Sequence, residues 1–181
     1  MNKLAIMLAA SGLFALSVPA AAAASEETAE ARIEATSAAD TARWDMLESF
    51  GPKALNPGQY LWADDLGEGP AKVVVSLGEQ MAYVYRGERL VGMTTISSGK
   101  EGKDTPTGIF TVLEKKPMHR SRKYDNAPMP FMQRIDNYGI ALHAGHNPGE
   151  PASHGCIRLP SAFAAKLYRL TDVGTPVLIG A

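Results

Sequence analysis

The sequence predicts a mainly β domain with one clear helix, placed just after its single cysteine. Three observations carry this. Short β-branched or aromatic runs recur from residue 72 to residue 113 with glycine-containing turns between them. A further apolar run closes the chain at Val177-Leu178-Ile179. Only Phe163, Leu167 and Leu170, at i, i+4 and i+7, have the spacing of a helix face outside the N-terminal region.

Taken in order, Lys72 to Leu77 reads as a strand, Gly78-Glu79-Gln80 as a turn, and Met81 to Tyr85 as a second strand. Arg86-Gly87-Glu88 then turns into a third strand, Arg89 to Ser97. Gly99 to Lys103 is a loop, Gly108 to Leu113 a strand, and Tyr138 to His143 a strand that ends on a histidine. Residues 114–134, with Pro117, Pro128 and Pro130, read as irregular, and their length invites comparison with a lid. Residues 144–152 carry Gly145, Pro148, Gly149 and Pro151 and read as a loop. There is no internal repeat.

The N-terminus has the form of an export signal. Lys3 precedes an apolar run from Leu4 to Leu16, followed by Pro19 and the small residues Ala20 to Ala24. Cleavage near Ala24 is the reading taken over a retained anchor, because the run is short for a membrane span and quickly followed by acidic residues. No cysteine stands at the cleavage site to take a lipid. Residues 25–70 form a leader and linker. The part from 25 to about 43, rich in Ala, Glu and Thr, has little to bury and reads as a polar helix or a flexible leader. Asn56-Pro57-Gly58 and Gly67-Glu68-Gly69-Pro70 mark a turn-rich passage, and the domain proper is expected over residues 71–181. About 155 residues after cleavage suffice for one core.

The net charge of −1 gives no global field that would attract nucleic acid. With one cysteine the chain has no internal disulfide, so Cys156 is a buried hydrophobe, an intermolecular bridge or a reactive thiol. Its surroundings favour the last. It lies in Ser153-His154-Gly155-Cys156-Ile157-Arg158-Leu159, with His143 upstream at the end of an apolar stretch. An imidazole within reach can take a thiol proton and later return one to a leaving amine. Gly155 allows close backbone approach to a substrate, consecutive amides can converge on an oxyanion, and the helix that follows brings a positive end that favours thiolate. A working site of this kind is expected to titrate below the reference thiol. Arg158 suits a two-pronged contact with a carboxylate. His154 is a rival base, although two residues is a short tether for a linear contact with the thiol. His143, His146, His154 and Cys156 are all zinc-ligand types, but their spacing is irregular and no cysteine pair is present, so no metal is assigned. Lys115, Lys116, His119, Arg120, Arg122 and Lys123 form a basic stretch, either a solvated loop or a contact for anionic peptides.

Together with Thr105-Pro106-Thr107-Gly108-Ile109-Phe110, this motif resembles the YkuD-type L,D-transpeptidases over residues from about Ala71 to Ile179. The resemblance implies a β-sandwich-like catalytic domain with its site in a cleft, acting on peptidoglycan stem peptides without a cofactor. It implies that Cys156 attacks the carbonyl of the third stem-peptide residue and expels D-Ala, and that an amine of a second stem peptide resolves the acyl-enzyme as a 3→3 crosslink. It makes His143 the general base and acid, oriented by the carbonyl of Ala144. The amides near Gly155 and Cys156 become the oxyanion hole, Arg158 the carboxylate contact, and Ser153 and His154 residues that shape the site. Water, or a lysine of an outer-membrane protein, is an alternative acceptor, and a wall-binding protein without turnover is a further reading. The expected location is the periplasm. The cell-wall-binding modules that often accompany such domains find no match in residues 25–70.

Overall fold

The computed structural model describes residues 25–181, so the predicted export signal over residues 1–24 lies outside the described residues. The chain forms two sheets and two helices. Strands β2 (Ala71–Ser76), β3 (Met81–Arg86) and β4 (Arg89–Thr95) make an antiparallel meander. β1 (Tyr60–Trp62) pairs with the free edge of β4, while β10 (Pro176–Gly180) joins β2 in parallel and β5 (Gly108–Thr111) in antiparallel pairing. The order of this sheet is therefore β1-β4-β3-β2-β10-β5. The second sheet is β6-β7-β8-β9, from Glu114–Arg120, Pro128–Arg134, Ala141–Ala144 and Ile157–Leu159.

The first sheet is covered on both faces, which is why Val73, Val74 and Val75 read as an unbroken apolar run. Val73 and Val75 face the main core with Phe110, Leu142, Ile157 and Phe163, so this core lies between the two sheets and helix α2 (Ser161–Leu170). Val74 faces the other way, with Tyr83, Met93 and Leu178, under helix α1 (Ala29–Phe50). Trp62 of β1 meets Phe163 of α2 edge-on at 5.3 Å, so β1 belongs to the core rather than to a linker.

Helix α1 corrects the expectation that the leader has little to bury. Ala31, Ala35, Ala39 and Ala42 form a buried stripe along one face. Methyl groups cover little area each, but they let the helix backbone lie directly on the sheet. Thr28 caps its start by accepting the Ala31 amide at 3.2 Å, and Gly51 at φ 73° ends it. Before the helix, Glu26 exchanges two backbone hydrogen bonds with Ile109 at 2.8 and 2.9 Å, extending the sheet beyond β5. The close approach depends on Gly180, where a Cβ would lie 2.8 Å from both the Ala35 carbonyl oxygen and the Thr36 Cα. Gly180→Ala is expected to cost about 1–3 kcal/mol by pushing backbone against backbone. Urea unfolding followed by tryptophan fluorescence checks this, and a change near zero would show that α1 shifts freely.

The proline-bearing stretch is also more regular than expected. Residues 114–134 form the hairpin β6–β7, with Met118 opposite Pro130 and Arg120 opposite Pro128. Pro117 sits on the edge strand of the sheet. Pro128 and Pro130 fall where β7 has run past β8, which pairs only with Gln133 and Arg134. Prolines at alternate positions leave the same side of a strand without donors, which a strand with one neighbour tolerates. Helix α2 follows the cysteine, but strand β9 intervenes and carries the chain about 10 Å away before the helix begins. The dipole of α2 therefore does not act at the thiol.

Candidate active site

Strands β8 and β9 run parallel at the heart of the site, with Leu142 opposite Ile157 and His143 opposite Arg158. Cys156 stands one residue before β9, which continues this register opposite Ala141. Side chains alternate along strands, so Ala141, His143, Cys156 and Arg158 share one face. All four line a cleft of about 1010 Å³. On that lattice the Cα atoms of Cys156 and His143 are about 8 Å apart diagonally, with their side chains on the same side.

His143 is buried, 7 % exposed, and its Nδ1 lies 2.8 Å from the Ala144 carbonyl oxygen. A carbonyl only accepts, so Nδ1 carries the hydrogen and Nε2 is left with its lone pair. Burial pushes the imidazole below the ordinary histidine value, with Arg158 and His119 acting in the same direction and the Ala144 contact against it. His143 is thus a neutral imidazole of fixed orientation at neutral pH.

Cys156 is half-buried against Met129, Met132 and Ala141. Its Sγ–H donates to the Gly139 carbonyl oxygen over 3.7 Å. Burial raises the thiol above its ordinary value and Asp136 adds to this, while the Ala141 amide and Arg158 oppose. Against the expectation of a depressed thiol, this burial favours thiol and neutral imidazole at rest over thiolate and imidazolium. The pH dependence of iodoacetamide alkylation tests this. Its inflection is expected above the free-thiol value of about 8.5, and an inflection below that value would show a preformed ion pair.

The nucleophile loop is fixed by its own serine. The Gly155 amide donates to Ser153 Oγ at 3.0 Å, and Ser153 Oγ donates to the Cys156 carbonyl at 2.5 Å. The Gly155 amide is therefore engaged, which narrows the expected oxyanion donors towards the amide of Cys156. Gly155 itself adopts φ 114°, and a Cβ there would meet Ile140 Cδ1 at 2.6 Å. Ser153, His154, Ala144 and Arg158 line the cleft with Cys156 and His143. Arg158 packs its stem over Gly145, and among the described residues it forms no ion pair.

His154 is exposed, and its ring stacks on Tyr124 at 4.4 Å with a 17° tilt. The turn of the β6–β7 hairpin thereby becomes a wall of the cleft. The basic stretch divides: Lys115 bonds the Tyr168 and Thr171 carbonyls at the end of α2, and Lys116 pairs with Glu114 at 2.6 Å. Lys116 also lines the cleft, with His119, Arg122 and Lys123. Among the described residues, no three His, Cys, Asp or Glu side chains converge as a metal site.

Asp136 has a role that the sequence did not reveal. Its buried carboxylate accepts the amides of Tyr138, Gly139 and Ile140 at 2.9, 2.8 and 2.7 Å, shaping the turn whose Gly139 carbonyl meets the thiol. An Asp-Asn followed by Tyr-Gly was a local turn signal that could have pointed to it.

Fold and site together define a two-sheet β domain that presents a cysteine and an oriented histidine on one face of a cleft. The YkuD profile, the L,D-transpeptidase catalytic domain, matches residues 70–179. The chain belongs to that family. It is 30% identical over 116 residues to the protein named L,D-transpeptidase YkuD in Bacillus licheniformis, covering 61% of this chain and 66% of that one. It is 30% identical over 161 residues to the protein named L,D-transpeptidase YbiS in Escherichia coli K12, covering 72% and 52%. The chain thus spans between half and two-thirds of the length of these relatives. A solved L,D-transpeptidase from Stackebrandtia nassauensis superposes with a TM-score of 0.57 at 26% identity, covering 75% of this chain and 64% of the other. One from Mycobacterium smegmatis shares the fold, with a TM-score of 0.57 at 24% identity over 61% and 58%. Among the described residues no helix is long and apolar enough to cross a membrane.

Proposed function

We propose that this protein is a periplasmic peptidoglycan L,D-transpeptidase, with residues 71–181 as its catalytic domain. The observation that carries the reading is the contact of His143 Nδ1 with the Ala144 carbonyl oxygen. That contact holds the Nδ1–H, so Nε2 is free to act as a base on the face that carries Cys156. His154 is exposed and its ring is stacked on Tyr124, which makes it the less well placed candidate.

Cys156 Sγ–H passes its proton to His143 Nε2 as sulfur bonds to the carbonyl carbon of the third stem-peptide residue. The carbonyl π pair moves onto oxygen, where the Cys156 amide receives it. Collapse of the tetrahedral species breaks the C–N bond to D-Ala, and His143 returns the proton to the departing amine. An amine of a second stem peptide then attacks the thioester by the same sequence in reverse, releasing the thiol and leaving a 3→3 crosslink. Because burial disfavours both charged partners at rest, proton transfer is coupled to attack rather than completed beforehand. Arg158, which forms no ion pair among the described residues and is in register with His143, holds a substrate carboxylate. No cofactor is required by this chemistry.

Product analysis of disaccharide-tetrapeptide incubated with the protein tests the reading. A cysteine-dependent 3→3 dimer with release of D-Ala is expected. Cysteine-dependent tripeptide without dimer would replace the amine acceptor with water or with a protein lysine absent from the mixture. No turnover by a folded protein would favour a wall-binding role.

A further inference from the structure

The Thr105-Pro106-Thr107-Gly108 loop does not line the cleft, yet it is bonded to the nucleophile loop. Thr105 is buried, and its Oγ1 sits between two backbone groups. It accepts the Gly99 amide at 2.8 Å and donates to the Gly155 carbonyl at 2.8 Å. These contacts join segments 6 and 50 residues apart in sequence. The Gly155 carbonyl belongs to the peptide unit whose N–H is that of Cys156. No cis peptide occurs among the described residues, so this C=O and N–H point in opposite directions. Thr105 is buried and is not among the residues that line the cleft, whereas Cys156 lines it. Pinning the carbonyl to Thr105 therefore turns the Cys156 amide towards the cleft.

We propose that Thr105 is a positioning residue: its hydroxyl, held by the Gly99 amide, sets the orientation of the Gly155–Cys156 peptide and so aims the Cys156 N–H at the oxyanion. Ser153 fixes the peptides on either side, through the Gly155 amide and the Cys156 carbonyl, but neither of those bonds restrains the Gly155 carbonyl itself. Without the threonine hydroxyl, that carbonyl is a buried acceptor with no partner, and the peptide rotates to find one.

The inference rests on the acyl-transfer reading, and its test is independent of the natural substrate. Two reactions of Cys156 are compared in the purified protein. Acetylation by p-nitrophenyl acetate passes through an oxyanion, and alkylation by iodoacetamide does not; intact mass follows both. Thr105→Val, which keeps the shape and loses the hydroxyl, is expected to slow acetylation by about 10-fold or more while alkylation stays within about twofold. Thr105→Ser, which keeps the hydroxyl, is expected to restore acetylation to within about threefold. Equal loss of both reactions in Thr105→Val would overturn the proposal, since the thiol itself would then have moved. So would unchanged acetylation, or a Thr105→Ser variant as slow as Thr105→Val, which would assign the effect to the methyl group. If the wild-type protein acetylates normally but does not turn over stem peptides, the substrate assignment fails and the role of Thr105 is still decided.

Discussion

Cys156→Ala is expected to fold as the wild type does and to lose crosslinking by on the order of 10⁴-fold or more. The magnitude follows from chemistry, because no other nucleophile of comparable strength stands at this point in the cleft. The unchanged fold follows from packing. The thiol is half-buried and packs against a small cluster of Met129, Met132 and Ala141 that is separate from the main core. Its deletion leaves a vacancy at the cleft floor that solvent reaches, so the stability cost is expected to stay below about 1 kcal/mol. Circular dichroism and thermal melting beside the turnover assay check both halves. A grossly unfolded variant would make the cysteine a structural residue and remove the basis of the mechanism.

The second large effect is at His143. His143→Asn is expected to lower turnover by about 10²–10⁴-fold, the usual contribution of a general base. Asparagine retains an amide N–H close to the position of Nδ1, so the hydrogen bond to the Ala144 carbonyl can be kept while the base is lost. Because the resting thiol is neutral, its alkylation at high pH, where hydroxide ionises it, should be nearly unchanged. His154→Asn, by contrast, is expected to change turnover by less than about 10-fold, since that ring is committed to Tyr124. If the two variants exchanged these effects, His154 would be the base and the orientation of His143 would be structural.

The strands were legible where one chemical property dominated. Val73 to Val75 and Met81 to Tyr85 are apolar because the sheet is covered on both faces, and Phe163 and Leu167 mark α2 because its core face is built of large side chains. Helix α1 was obscured because its buried stripe is alanine set among glutamates and threonines. Its packing relies on what is missing, a Cβ at Gly180, and not on what is large. The β6–β7 hairpin was hidden by prolines that a strand with one neighbour accepts. In the site, Cys156, His143 and Arg158 stood out because their chemistry is unusual and their segments short, Ala144 was reached only through the family resemblance, and the structure brings all four to one cleft. The bond from Thr105 to Gly155 crosses 50 residues, and no local pattern reports it. The burial that opposes ionisation of the thiol was not legible for a related reason: the Met129 and Met132 side chains packed against it come from a segment read as irregular.

The most direct measurement of the central claim is rapid-quench intact-protein mass spectrometry with disaccharide-tetrapeptide as donor. A transient adduct on Cys156 with the mass of the donor less D-Ala is expected, cleaved by hydroxylamine as a thioester and absent in Cys156→Ala. Release of D-Ala at the wild-type rate by Cys156→Ala, or an adduct mapped to another residue, would contradict it.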